Sequence, residues 1–152
     1  MTTHRYPGMT GRFRRRRSRG WGEIYVTARD MAKFGSLYLN DGEYEENQVV
    51  LADWVYDSLR IYSEDAWITN KLGRYLGDIG YGYQWWSARS GDHHFNFAWG
   101  HGGQLIVLLD ELDMIIITTA DPLHEVPPAE GWKYEKTVID LVGGFIKSLP
   151  DE

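Results

Sequence analysis

The stretch "WGHGGQLIVLLDELDMIIITTAD", Trp99 to Asp121, decides the fold prediction. Two apolar runs flank the acidic sequence "DELD", a pattern typical of two antiparallel strands joined by a tight turn. The first run is preceded by His101-Gly102-Gly103, although glycine weakens strands because it has no side chain to pack. Either the glycines bend the strand, or they let another group approach its backbone.

Helical patterns lie on both sides of this hairpin. Residues 27–39 predict a helix, because Thr27 is a good N-cap with an acidic residue at capping-box spacing. Residues 52–60 predict a second, shorter helix, and Trp132–Ser148 a C-terminal one. Gly143-Gly144 inside that last helix costs about 1 kcal/mol per glycine relative to alanine, which suggests close packing on a sheet.

Two aromatic segments, Tyr81–Ala88 and Phe95–Trp99, have strand character, whereas residues 62–80 show no clean period and predict a long loop. The prediction is therefore an α+β fold, with an antiparallel sheet of about three strands packed with N-terminal and C-terminal helices. Such a narrow sheet has edges that must be covered or paired.

Composition bounds the class of protein. The 152 residues are 43% hydrophobic with a net charge of −6, which fits a globular domain. Residues 1–20 carry seven arginines and no acid, leaving −13 for residues 21–152. The basic segment predicts a disordered lead-in, with a nucleic-acid-binding arm as the alternative. No apolar run is long enough for a transmembrane helix, the start does not resemble a secretory signal, and the absence of cysteine excludes disulfides.

Several common kinds of chemical site find no support in the residues. His93 and His94 are adjacent, so on a strand they point to opposite faces, and their spacing with His101 matches no metal motif. Tyr38-Leu39-Asn40 lies at a helix end with Tyr38 on the apolar face, which favours a structural role. The sequence has no Gly-x-Ser-x-Gly, no Ser-x-x-Lys and no phosphate-binding loop. No metal and no cofactor are expected.

The segment His101-Gly102-Gly103-Gln104 remains as the candidate site. A backbone bared by glycine can offer N–H groups to a bound carbonyl, and a histidine can hydrogen-bond a carboxylate, a carbonyl or a hydroxyl. A glycine bulge beside a structural histidine explains the same residues. Both interpretations stay open on the sequence alone.

Three separate stretches carry a resemblance to a known family. They are "GEIYVTARDMAKFGSLYLNDGEY", "IGYGYQWW" and "WGHGGQLIVLLDELDMIIITTAD". From about Trp21 to Leu149 the chain resembles the C-terminal part of the class C β-lactamase-related serine hydrolases. That family includes penicillin-binding proteins, family VIII esterases, D-aminopeptidases and 6-aminohexanoate-dimer hydrolases.

The resemblance implies a site in which a Ser-x-x-Lys helix and a tyrosine loop meet a Lys-Thr-Gly or His-x-Gly strand. Here only the last is present, as His101-Gly102-Gly103. By the resemblance His101 faces the cleft and helps to hold the substrate or the relay tyrosine, and Gly103 lets substrate lie along the strand. The N–H of Gln104 is one oxyanion donor, and Gly102 is assigned to substrate binding. The remaining residues that we assign to substrate binding, as pocket wall, are Trp86 and Trp99.

The departures from the family define the functional prediction. The nucleophile, its lysine and the relay tyrosine are missing, so residues 21–152 are expected to be a truncated β-lactamase-like domain, inactive alone. Self-association is expected to cover the exposed sheet edge. A binding module for a peptide-like or small acyl ligand is the alternative, ahead of a basic-tailed nucleic-acid binder.

Overall fold

The computed structural model describes residues 24–64, 72–120 and 128–150, with side chains of the last helix described from residue 132. A short 3-10 turn at Asp110–Leu112 joins the last two strands. In chain order the helices and strands are α1 (Ala28–Leu39), β1 (Glu43–Tyr44), β2 (Asn47–Gln48), α2 (Ala52–Leu59), β3 (Gly77–Tyr81), β4 (Trp86–Ser90), β5 (His93–Gly100), β6 (Gln104–Leu109), β7 (Met114–Thr118) and α3 (Pro128–Lys147).

The α+β class predicted from the sequence is confirmed, but the prediction of about three strands was wrong. The main sheet is an antiparallel meander of five strands in the order β3-β4-β5-β6-β7, beside a two-stranded hairpin of β1 and β2. The strand β3 lies inside the segment interpreted as a loop, where two glycines in "GDIGY" hide the alternating pattern. The hairpin between β4 and β5 turns at Gly91, which has φ +63°.

The first helix begins as the sequence predicts. The Thr27 side chain accepts a hydrogen bond from the Asp30 N–H, and the Asp30 carboxylate accepts one from the Thr27 N–H, which is a complete capping box. The Thr27 hydroxyl also donates to the Asp30 carboxylate at 2.8 Å, and this bond, followed by the one from the Thr27 N–H, lowers the pKa of Asp30 below its ordinary value. At the other end the Asn40 side chain donates to the Ser36 carbonyl, and the Tyr38 ring packs on Trp85 at 4.6 Å. Tyr38 and Asn40 therefore both make contacts that support this end of the helix.

Helix α3 covers one face of the sheet. Its buried side chains Ile139, Val142 and Ile146 pack on a core contributed by the sheet strands and the segment before β3. The strand and segment residues of this core are Leu72, Leu76, Ile79, Ala88, Phe95, Phe97, Leu105, Val107 and Leu109. The predicted close approach is present, since a Cβ at Gly143 would meet the Leu76 side chain at 2.6 Å.

The helical spacing of the sequence predicts an apolar side of this helix that includes Leu141 and Phe145, but the structure differs at these two residues. Leu141 and Phe145 are 70% and 47% exposed, because they lie on the side of the helix turned from the sheet. In the parts of the chain that the structure describes, neither α3 nor any other helix has the length and apolar character needed to cross a membrane.

Helix α1 covers part of the opposite face. Gly35 faces β6 and β7 so closely that an added Cβ would meet Ile115 at 2.9 Å and Ile106 at 3.3 Å. Farther along this face, the Asn96 side chain donates to the carbonyl of Leu59 at the end of α2. The sheet is therefore a middle layer with helices on both sides.

The two edges of the sheet differ. Along β3, the backbone of Tyr62 and Ser63 pairs with Tyr81 through bonds of 2.9 to 3.1 Å, so this edge is partly covered. Along β7, no strand pairs with the outer side among residues 24–64, 72–120 and 128–150. The apolar sequence "MIIIT" of β7, half-buried throughout, therefore ends the sheet.

Replacing Thr27 by alanine should lower the free energy of unfolding by about 1 kcal/mol, because the capping box loses its side-chain acceptor. Chemical denaturation monitored by circular dichroism measures this loss. Thr27→Ser is the matched control, since serine keeps the hydroxyl, and it should change stability by less than half as much. Equal losses in both variants would contradict a capping role.

Candidate functional site

The His-Gly-Gly sequence forms a turn at one end of the sheet. It joins β5 to β6 between the paired residues Gly100 and Gln104. The sequence predicts that the strand begins at Gly102, but it begins two residues later, at Gln104. The Gly103 N–H donates to the Gly100 carbonyl at 3.3 Å. Gly102 and Gly103 have φ +86° and +89°, backbone conformations that other residues rarely adopt. The glycines are thus required by the turn itself.

A buried carboxylate holds this turn from beneath. Glu135 lies on α3, and its side chain is 7% exposed. Its Oε1 atom accepts the N–H of Gly102 at 2.8 Å and lies 2.9 Å from Nδ1 of His101. A buried carboxylate is costly unless it is hydrogen-bonded, and these two contacts satisfy that requirement. One oxygen atom thus ties the backbone of the turn and the ring of His101 to the helix.

Helix α3 and β7 enclose the other side of the turn. A Cβ at Gly103 would meet the Val138 side chain at 3.1 Å, so the absence of a side chain lets the helix approach. The Thr118 hydroxyl donates to the Gly103 carbonyl at 2.7 Å and accepts the Leu105 N–H at 3.1 Å. The positive φ angles of Gly102 and Gly103 support the explanation that the glycines bend the chain. Helix α3 also approaches the backbone at Gly103, so both explanations describe this turn, and the approaching group belongs to this chain.

His101 is the accessible member of the site. Its side chain is 83% exposed although its Nδ1 contacts a buried atom. Because Nδ1 is held by Glu135, the other ring nitrogen, Nε2, can donate one hydrogen bond to a group outside the chain or accept one from it. Gln104 is half-buried at the start of β6, opposite Gly100. The oxyanion role of the Gln104 N–H and the substrate-binding role of Gly102 stay predictions.

The two tryptophans assigned to a pocket wall belong to a row of rings. Trp86 contacts Trp99 at a centroid distance of 6.0 Å, and Trp99 contacts Trp132 of α3 at 5.7 Å. Tyr81 extends the row on the other side of Trp86, at 4.6 Å. Trp86 and Trp99 are half-buried and pack against the core beneath α3. Their contacts support the fold next to the turn, and a role in substrate binding stays a prediction.

His93 and His94, the two other histidines within the described residues, lie at the opposite end of β5. His93 is buried with Nδ1 2.5 Å from a Glu111 oxygen, whereas His94 projects from the other face. Partial burial, and then the Arg89 guanidinium, lower the pKa of His94 below its ordinary value. Within the described ranges no group of three or more metal-ligating side chains comes together.

Sequence reasoning missed Glu135, although a signal was present. Positions 132, 135, 139, 142 and 146 follow helical spacing along one stripe, and four of the five are apolar. A lone carboxylate in such a stripe faces the core, where it needs a hydrogen-bond donor. The N–H of Gly102 in the turn supplies that donor, but only the folded chain brings it to the Glu135 carboxylate.

Comparisons with known proteins agree with this fold. No protein-family model and no curated protein matches the chain. Among solved structures, the chain is similar to a Bacillus anthracis protein assigned as a 6-aminohexanoate-dimer hydrolase, with a TM-score of 0.54 and 24% identity over 86% of this chain. The match covers 31% of that protein, so this chain spans about a third of its length. The likeness supports a β-lactamase-like α+β layer as the fold.

Alanine should reduce stability at Gly103, inside the turn, and much less at Gly100, which precedes the turn. Gly103→Ala should lower the free energy of unfolding by about 1 to 3 kcal/mol, because alanine is strained at positive φ and its Cβ would crowd Val138. Gly100→Ala is the matched control, since its Cβ would meet only ordinary contacts at 3.5 Å or more. Urea denaturation of both variants tests the difference. Equal effects would contradict this account of the turn.

Proposed function

We propose that this chain supplies the sheet side of a β-lactamase-related serine hydrolase site and does not transfer acyl groups by itself. The observation that carries the proposal is the exposed His101, held at the end of β5 by Glu135 in a fold similar to that of a 6-aminohexanoate-dimer hydrolase. Esters, amides and β-lactams are the substrate classes that this chemistry serves.

Two buried serines in the sheet, Ser87 and Ser90, support the proposal that the chain does not transfer acyl groups by itself. Acyl-enzyme chemistry needs an accessible nucleophile with an adjacent base. Ser87 and Ser90 are 2% and 1% exposed, and the Ser90 hydroxyl donates to the Gly143 carbonyl at 2.8 Å. No serine in the sequence is followed three residues later by lysine. The activated serine would therefore have to come from another segment or another polypeptide.

The proposal predicts a chain that neither reacts with a serine-directed probe nor turns over substrate. The purified protein should not be labelled by a fluorophosphonate and should not hydrolyse a chromogenic short-chain ester or a β-lactam above the buffer rate. An intact serine hydrolase is the positive control, and His101→Ala is the matched variant for residual ester hydrolysis. Labelling of any serine, mapped by mass spectrometry, would contradict the proposal.

We also propose that the outer edge of β7 is covered by a second copy of this chain. Met114, Ile115, Ile116, Ile117 and Thr118 form an uncharged edge without proline, the type of strand that pairs with others when left open. An antiparallel pair centred on Ile116 would place Ile116 opposite its own copy and Ile115 opposite Ile117, with Met114 opposite Thr118 at the ends. The sequence is thus complementary to itself.

Light scattering coupled to size exclusion should find a dimer at micromolar concentration. Ile116→Lys should shift the protein toward the monomer, because a charge on an edge strand opposes pairing. Val49→Lys is the control, as Val49 is 46% exposed and lies outside this sheet. Circular dichroism checks that both variants fold, and hydrogen exchange of β7 amides at two concentrations gives a second readout. A clean monomer with concentration-independent exchange would contradict the proposal.

A further inference from the structure

We infer that Glu135 is a positioning residue, which fixes the neutral ring of His101 with its proton on Nδ1 and leaves Nε2 as an outward hydrogen-bond acceptor. The inference rests on the contact of 2.9 Å between the Glu135 Oε1 and His101 Nδ1 atoms. It concerns a residue outside the His-Gly-Gly sequence, on a helix 32 to 34 positions farther along the chain.

The assignment of the proton follows from the chemistry of the partner. A carboxylate only accepts hydrogen bonds, so a nitrogen that bonds to it must carry a proton. A neutral imidazole has one N–H, and the hydrogen bond made by one ring nitrogen sets the state of the other. With Nδ1 as the donor to Glu135, Nε2 keeps its lone pair.

The surroundings make Glu135 a fixed anchor. Its carboxylate is nearly buried, and the same Oε1 atom accepts the Gly102 N–H at 2.8 Å. Neighbouring Val138 packs at the turn itself, where an added Cβ on Gly103 would touch it. Any rotation of the Glu135 side chain would therefore leave a buried backbone N–H without its acceptor, which opposes such motion.

With its proton on Nδ1, the ring of His101 accepts a hydrogen bond through Nε2 on its exposed side. An Nε2 acceptor recognises a hydroxyl or an N–H group, and it rejects a carbonyl or carboxylate unless the ring is protonated. Only the identity of that outside donor rests on the proposed function, where it would be a hydroxyl of the substrate or of the missing catalytic group. The tautomer itself belongs to this chain alone.

The test is the tautomer of His101, measured by long-range proton–nitrogen NMR on the intact 15N-labelled chain. Spectra across a pH series identify the neutral ring, and His101→Gln assigns its signals. We expect a pyrrole-type shift for Nδ1 and a pyridine-type shift for Nε2. Glu135→Gln should keep this pattern, because its amide oxygen can still accept both N–H groups. Glu135→Ala should lose it, giving an averaged or reversed pattern.

Lys133→Ala is the control, because Lys133 is exposed on the same helix and should leave the His101 signals unchanged. An Nε2–H tautomer in the unmodified protein, or the same Nδ1–H tautomer in Glu135→Ala, would overturn the inference. A merely structural Glu135 would change stability without changing the tautomer. Failure of the proposed function is distinguishable, since it appears as fluorophosphonate labelling, whichever tautomer His101 adopts.

Discussion

The docking of α3 on the sheet is the interaction on which the rest of the described structure depends. Apolar burial supplies the main driving force, through Ile139, Val142 and Ile146 against the strand side chains. Polar contacts then fix the helix along its length. Glu135 accepts the Gly102 N–H, the Gly143 carbonyl accepts the Ser90 hydroxyl, and the Leu149 carbonyl lies 3.4 Å from the His93 ring. Burial brings the helix to the sheet, and these directional bonds determine its register.

This packing explains why the turn before β6 is both rigid and open. Hydrogen bonds to Glu135 on α3 and from Thr118 on β7 hold the turn backbone on the side that faces the protein. Its outer side carries His101, which is 83% exposed. A rigid backbone with one exposed polar ring is the arrangement a binding site requires, because the ring is oriented before any ligand arrives. The same arrangement would serve a site completed by another segment.

The sequence predicted those elements whose signals are local. The capping box of Thr27, the hairpin around "DELD" and the close approach at Gly143 follow from patterns a few residues long, and all are present. The strand β3 was missed because its glycines remove the alternating pattern, and it is recognisable only by its pairing with β4. Glu135 was missed for a similar reason, since its partner lies 33 residues away. Interactions between distant segments depend on the topology, which the local pattern does not contain.

The glycines of the turn illustrate how structural and functional explanations can coincide. Gly103 is needed because its φ is +89° and Val138 approaches it, and Gly102 because its φ is +86°. These needs would select glycine even in a protein without a ligand. The exposed His101 has no such requirement, because 83% of its side chain contributes nothing to the core. The contact between the buried Glu135 carboxylate and the exposed imidazole orients the ring of His101. If the chain has the proposed function, the pair Glu135 and His101 carries the functional signal of this motif, because the turn alone already requires the glycines.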